Sequence, residues 1–321
     1  MSEENQNPIE DEARRLVEEA EGVAATVIAA EPAEIKTLGK AQKFQADRES
    51  PIAGDIGWKN VPLANLPSQG LFYPEGTEVA IRAASVAEIR HWSTIDENDA
   101  LAIDDMLNFV IEKCCRTRMG GRPSNFKDLK EIDRFYVIFA IRDFTFKNGE
   151  NKLFTYIEGE DGKEEKIEIT KDVLTYFNPD EKLMEYYNND MKCFVFPMKS
   201  GEVFECHFPS LGVMSFIKSY AKAKTQKNAK FDKAFLRYAP FLIPEWKGLT
   251  EKEYEKISQD SLEWSIKKIS LMDKVTGMLA GSINPQIRYI TASGEEDTTP
   301  LSFRGGIKSL FLIPDILDEL V

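Results

Sequence analysis

Leu66-Pro67-Ser68-Gln69-Gly70-Leu71-Phe72-Tyr73-Pro74-Glu75-Gly76 stands where a polar leader gives way to a strand-then-helix pattern. Its two prolines fix φ and its two glycines admit φ > 0, so the spacing predicts a hook, a backbone bent twice that carries Leu71, Phe72 and Tyr73 on the bend. Large apolar residues are usually buried, but a bend also presents side chains. The sequence leaves both readings open: the three residues pack inward as the lid of a core, or they grip a partner.

Immediately after the hook, Glu78-Val79-Ala80-Ile81-Arg82 alternates polar and apolar residues, as a half-buried strand does. Ser85 and Glu88 have the spacing of a capping box, which predicts a short helix ending near Ser93. His91 on that helix has no ligand-type neighbour and reads as an ordinary surface or core histidine. A second helix is expected over 100–116, with Leu101, Met106, Leu107, Val110, Ile111 and Cys114 at three- and four-residue steps and Gly120-Gly121-Arg122-Pro123 as its breaker. On such a helix Cys114 and Cys115 point about 100° apart, so they share no metal. The next helix, 128–143, is the most apolar and therefore central: Leu129, Ile132, Phe135, Tyr136, Phe139 and Ala140 line a broad face. Asp133-Arg134 and Arg142-Asp143 are adjacent opposite charges on it. Neighbours one apart on a helix do not face each other, so each charge is expected to pair with another element.

Farther along, strands pair. Leu153-Phe154-Thr155-Tyr156-Ile157 and Lys166-Ile167-Glu168-Ile169 flank an Asp-Gly turn at 159–163, and Cys193-Phe194-Val195-Phe196 pairs with 203–208. In that last arm Val203, Glu205 and His207 take one face and Phe204, Cys206 and Phe208 the other. Cys193, Cys206 and His207 lack the close-pair spacing of a zinc site, and His207 opposes Cys206, so no metal is expected there. Helices are expected over 211–224 and 231–239, the latter ended by Pro240 and Pro244, and a capping box at Thr250 and Glu253 opens a long helix to about residue 279. Lys218, Lys222, Lys224, Lys227 and Lys230, with Tyr220 and Phe231, form a basic patch that reads as a solvated face or a contact for an acidic partner. Gln286-Ile287-Arg288-Tyr289-Ile290 and Pro300-Leu301-Ser302-Phe303 bracket a third hairpin. An apolar C-terminal piece, residues 303–314, needs to be packed or bound.

These elements make an α+β chain: a helical body with several β-hairpins behind an acidic, flexible N-terminal leader. With 321 residues, 42% of them hydrophobic, it can bury a substantial core. The expected units are the leader (1–57), a strand-and-helix unit with a hairpin (58–175), and a helical unit with two hairpins and the apolar C-terminal segment (176–321). In the leader, residues 12–30 have helix propensity but too few large apolar residues to hold a helix without a partner. The net charge of −13 disfavours generic nucleic-acid binding, and no run is long and apolar enough to span a membrane. Four cysteines at this length are read as free buried thiols. The chain has no G-x-S-x-G, Walker loop, G-x-G-x-x-G or H-E-x-x-H and only two histidines, so neither a catalytic site nor a cofactor is expected.

The hook, the strand and capped helix after it, and Asp133-Arg134-Phe135-Tyr136-Val137-Ile138-Phe139-Ala140-Ile141-Arg142-Asp143 together resemble the baseplate hub proteins of T-even-like contractile-tailed bacteriophages. The likeness covers about residues 62–157, through the family's LPS-x-G-x-x-Y opening and its DR…R helix. The closing hairpin and the segment from Phe303 to Phe311 are similar to the family's end. Relatives carry C-x-x-C pairs in their later hairpins; here Ile290-Thr291-Ala292-Ser293 stands at the last one, and no zinc knuckle is carried over. The resemblance implies a non-enzymatic virion component of the tail baseplate, made in the host cytoplasm and acting through contacts with other hub, spike or tail-tube proteins. Its implied partner-binding residues are Leu66, Pro67, Gly70, Leu71, Phe72, Tyr73 and Pro74 in the hook, and Phe303, Gly305, Gly306, Leu310 and Phe311 near the end. Two alternatives stay open: an assembly chaperone absent from the finished particle, and a cell-wall hydrolase, which would need a raised carboxylate pair in a cleft.

Overall fold

The computed structural model describes residues 57–146, 152–158, 164–179, 181–198, 201–291, 293–303 and 305–311. The acidic leader with its expected helix over 12–30, the turn at 159–163, Lys199, Ser200 and the chain beyond Phe311 lie outside the described residues. The fold is α+β, with helices packed among small antiparallel sheets.

The first sheet is antiparallel in the order β1 (Trp58–Val61), β2 (Glu78–Arg82), β3 (Cys115–Met119), β4 (Arg122–Ser124). Between β2 and β3 run α1 (Val86–Trp92) and α2 (Ala100–Cys114). Ser85 and Glu88 close the expected capping box on α1, and the Asp99 carboxylate accepts from the first free N–H groups of α2. Contrary to expectation, α2 stops at Cys114: Cys115 is extended and opposes Ile81 in the sheet. Gly120 and Gly121 break no helix. Both have positive φ (55° and 75°) and form the two-residue turn that joins Met119 to Arg122 across β3 and β4. The helix expected from residue 128 begins only at Arg134, as α3 (Arg134–Thr145), after two short 3-10 turns.

β5 (Leu153–Glu158) and β6 (Glu164–Ile169) form the expected hairpin. After α4 (Glu181–Met184) comes a three-stranded sheet, β7 (Tyr187–Asn188), β8 (Cys193–Pro197) and β9 (Val203–Cys206). α5 (Leu211–Gln226) is capped by Ser210. The helix expected over 231–239 is a 3-10 turn at Ala234–Arg237 followed by α6 (Ala239–Leu242). Pro240 sits in the first turn of α6, where its missing N–H has no partner to lose, so it opens a helix instead of ending one. The single long helix expected from Thr250 is two: α7 (Glu251–Ser261), with its capping box, and α8 (Ile266–Ile283), restarted by a Ser265 cap. β10 (Gln286–Ile290) pairs with β11 (Glu296–Pro300), so the second arm lies before the expected 300–303 stretch; Thr291 bonds Glu295 to close the loop.

Among the described residues, three apolar clusters fill the interior. The first joins the four-stranded sheet, α2, α3 and β5–β6 with Ile287, Leu301, Leu310 and Phe311 from the chain's end. The second joins β8, β9 and α8 with Phe177 and Phe241, and the third packs α5 and α7 around Tyr254. The residues expected as a C-terminal unit (176–321) are therefore divided among all three. The hook lies on the seam between the first two: Leu66 and Tyr73 belong to the first cluster and Phe72 to the second.

Candidate functional site

The hook is held by one carboxylate. Asp133 is fully buried; its Oδ1 accepts the Ser68 backbone N–H at 2.8 Å and its Oδ2 accepts the Tyr73 hydroxyl at 2.7 Å. The same Tyr73 oxygen accepts the Lys130 N–H at 3.0 Å. Burial pushes Asp133 up to about 6, against the Ser68 and Tyr73 donors and the Lys130 charge, which pull it down. Around this bond set the backbone bends through Gln69 (φ 53°) and Gly70 (φ 80°), and Phe177 N–H closes on the Pro67 carbonyl at 2.8 Å. Phe72 stacks on Phe208 at 4.2 Å and meets Phe177 edge-on at 5.2 Å.

The adjacent Arg134 points elsewhere, as adjacent charges on a helix must. Its Nη1 meets Asp104 Oδ1 of α2 at 2.6 Å, and Lys218 of α5 meets the same oxygen at 2.6 Å. Burial alone would raise Asp104, but the charges of Arg134 and Lys218 outweigh it and hold the carboxyl at about 2. Lys222 pairs with Asp99, and Lys224 with Glu251 and Glu255. Three lysines of the expected basic patch thus lie in ion pairs with this chain's own carboxylates, and Tyr220 and Phe231 pack in the third cluster.

Beside the hook is a mixed ligand set. Cys193 on β8, Glu205 on β9 and His207 just after it place one ligand atom each within 4.8 Å of one another. The register explains why: Phe194 opposes Cys206 and Val195 opposes Glu205, so one further step sets Cys193 across from His207. Alternation correctly separates His207 from Cys206, but that same alternation joins His207 to Cys193 and Glu205, which the spacing argument passed over. Lys130 lies close by. Its ammonium donates to the Phe208 carbonyl at 3.0 Å, burial pushes it down to about 8, and its charge is felt at both Cys193 and His207. Burial, with Glu205 adding to it, lifts the Cys193 thiol to about 11, which leaves too little thiolate at neutral pH for a nucleophile.

No protein-family model, curated protein or solved structure matches the chain.

Of the residues expected to bind a partner, Leu66, Pro67, Phe72, Tyr73, Leu310 and Phe311 are buried within this chain. Between the two readings of the hook, the inward one describes Phe72 and Tyr73. Leu71 is half-buried, with its carbonyl accepting from the Tyr187 hydroxyl, while Pro74 is exposed. At the other end, Phe303 packs against Phe135 and Phe139 on α3, and Phe311 against Trp92. Gly305 is exposed. Gly306 takes φ 71° and ψ 178°, a backbone region that favours glycine, and Glu97 beside it accepts the Lys308 N–H at 2.8 Å.

The surface carries a different apolar feature. Leu262 (63% exposed), Ile266 (85%) and Ile269 (37%) follow one another at four and three residues across the junction of α7 and α8. Val203 (61%) is exposed as well, on the face of β9 opposite Phe204, whose ring meets Trp264 at 6.2 Å. The sequence places Ile269 among the apolar positions of one long helix from Thr250 to about residue 279. The helix instead breaks at residues 262–265, and these side chains, at and beyond the break, stand in water.

Proposed function

We propose that this chain is a non-enzymatic structural component of a contractile phage tail baseplate hub, working through contacts with neighbouring hub, spike or tail-tube proteins. The observation that carries the contact reading is the exposed apolar strip at the junction of α7 and α8, Leu262, Ile266 and Ile269. Two of its members expose more than half their surface, and grouped exposed apolar side chains mark protein-binding surfaces more than scattered ones do. The phage reading rests on the resemblance: its two motifs, the hook and the Asp133-Arg134 helix, are the parts that bond to each other through Asp133. Against a hydrolase, Asp133 is the one carboxylate among the described residues held above its ordinary range, and both of its oxygens are engaged by the hook. No helix among the described residues is long and apolar enough to cross a membrane.

The test uses Leu262→Glu/Ile266→Glu. Position 266 opens α8, where a carboxylate is favoured by the helix dipole, so the melting temperature should stay within a few degrees of wild type. Co-purification with hub and tube subunits should fall at least about tenfold, which is the effect of losing one hot spot of about 1.4 kcal/mol. Unchanged co-purification rejects the strip as the contact surface. Mass spectrometry of purified particles separates the structural role from the chaperone: the structural role requires the chain in finished virions, and its absence there favours the chaperone.

A further inference from the structure

We propose that Cys193, Glu205 and His207 form a zinc site of the open type, with three protein ligands and water in the fourth position. A thiolate, an imidazole and a carboxylate are the donors zinc accepts, and three of them plus water is the composition of an open site. The distances suit the ion. From zinc–ligand lengths of about 2.0–2.3 Å, tetrahedral ligand atoms lie roughly 3.3–3.6 Å apart. His207 Nε2 and Glu205 Oε2 are 3.2 Å apart, already near one edge of that tetrahedron, and the whole set lies within 4.8 Å. Bringing Cys193 Sγ into range starts from separations of at most 4.8 Å and is a matter of side-chain rotation on strands whose backbones are paired.

Charge also balances. Binding releases the Cys193 thiol proton to solvent, and the resulting thiolate together with the Glu205 carboxylate cancels the two positive charges of the ion. Lys130, whose ammonium lies nearby on the Phe208 carbonyl, then faces a neutral centre and not a second cation. Cys193 is buried while Glu205 is exposed, so the ion enters from the Glu205 side, where the fourth position is open to water.

The competing account is a Glu205–His207 ion pair beside an inert structural thiol. Cobalt(II) separates the two, because it occupies zinc sites and reports its ligands by absorbance. The full chain, stripped with chelator and titrated with cobalt, should take up one equivalent with tetrahedral visible bands and a near-ultraviolet thiolate-to-cobalt band, and zinc should bleach both. Cys193→Ser should abolish the thiolate band while Cys115→Ser, on the other sheet, leaves it intact. Should Cys193→Ser fail to fold, Glu205→Gln at an exposed position remains decisive. It should weaken cobalt binding by at least the roughly tenfold that loss of even an outer-shell partner costs. Absence of a stoichiometric cobalt spectrum, a thiolate band that survives Cys193→Ser, or unchanged affinity in Glu205→Gln overturns the site.

Discussion

At Asp133 a carboxylate removed from water still accepts two good hydrogen bonds, and desolvation wins: its pKa rises from the ordinary aspartate range to about 6. The folded state therefore binds more protons than the unfolded state between about pH 4 and 6. Stability from this group is full below pH 4 and is lost as pH rises through 6. A shift of about two units is worth about 2–3 kcal/mol. Asp133→Asn, which carries no titrating proton, should lose that dependence. The stability gap between wild type and Asp133→Asn, from urea melts at pH 7 and pH 4.5, should widen at the lower pH; a gap that stays constant would show that Asp133 does not titrate in this window. Glu88 and Asp104, both held at about 2, act in the opposite direction as pH falls, but they are common to both proteins and cancel in the gap. The sequence showed that Asp133 and Arg134 must part company, because adjacency on a helix is a local geometric fact. Their partners are 65 and 30 residues away, and no local pattern encodes such separations.

At the scale of elements, local chemistry was legible and its extent was not. The capping boxes at Ser85 and Thr250 lie within four residues and formed as read. Helix ends depended on distant pairing: Cys115 leaves α2 because β2 offers it a ladder, and the restart at Ser265 was hidden by apolar residues on both sides of the break. The Cys193, Glu205 and His207 set was legible in the hairpin register but not in ligand spacing, since its members come from two strands. Gly212 in the first turn of α5 gives a case where context reverses propensity. Alanine is favoured over glycine in a helix by about 1 kcal/mol. Here a Cβ would sit 2.7 Å from both Cδ1 and Cδ2 of Trp246, whose indole N–H is fixed to Asp128 Oδ1 at 2.6 Å. Gly212→Ala should thus destabilise by about 1–3 kcal/mol, the usual cost of overpacking. A thermal melt checks the sign; a rise in melting temperature would mean that Trp246 can swing aside without cost.

Over the whole molecule the question is whether the two large cores fold as one. The hook places Tyr73 in the first and Phe72 in the second on consecutive residues, and the strand-like contacts of residues 129–131 with 209–211 tie the same region again. The chain's end returns to the first core: Phe311 packs on Trp92 at 5.1 Å, Trp92 Nε1 donates to the Lys308 carbonyl at 3.1 Å, and Arg142 Nε donates to the Leu310 carbonyl at 2.9 Å. Removing residues 304–321 strips Leu310 and Phe311 from that core and leaves a buried guanidinium without its acceptor. The loss should be at least about 3 kcal/mol, from the cavity and the unpaired group together. Because the hook couples the cores, this damage should propagate. Trp264, which packs against the second core while Leu310 and Phe311 belong to the first, should report the same lowered melting temperature as Trp92. Fluorine-labelled tryptophan resolves the two signals in one sample. If Trp264 melts at the wild-type temperature while Trp92 melts early, the cores are independent and the hook merely joins them; coincident early melting makes residues 66–76 the seam through which the chain folds as a unit.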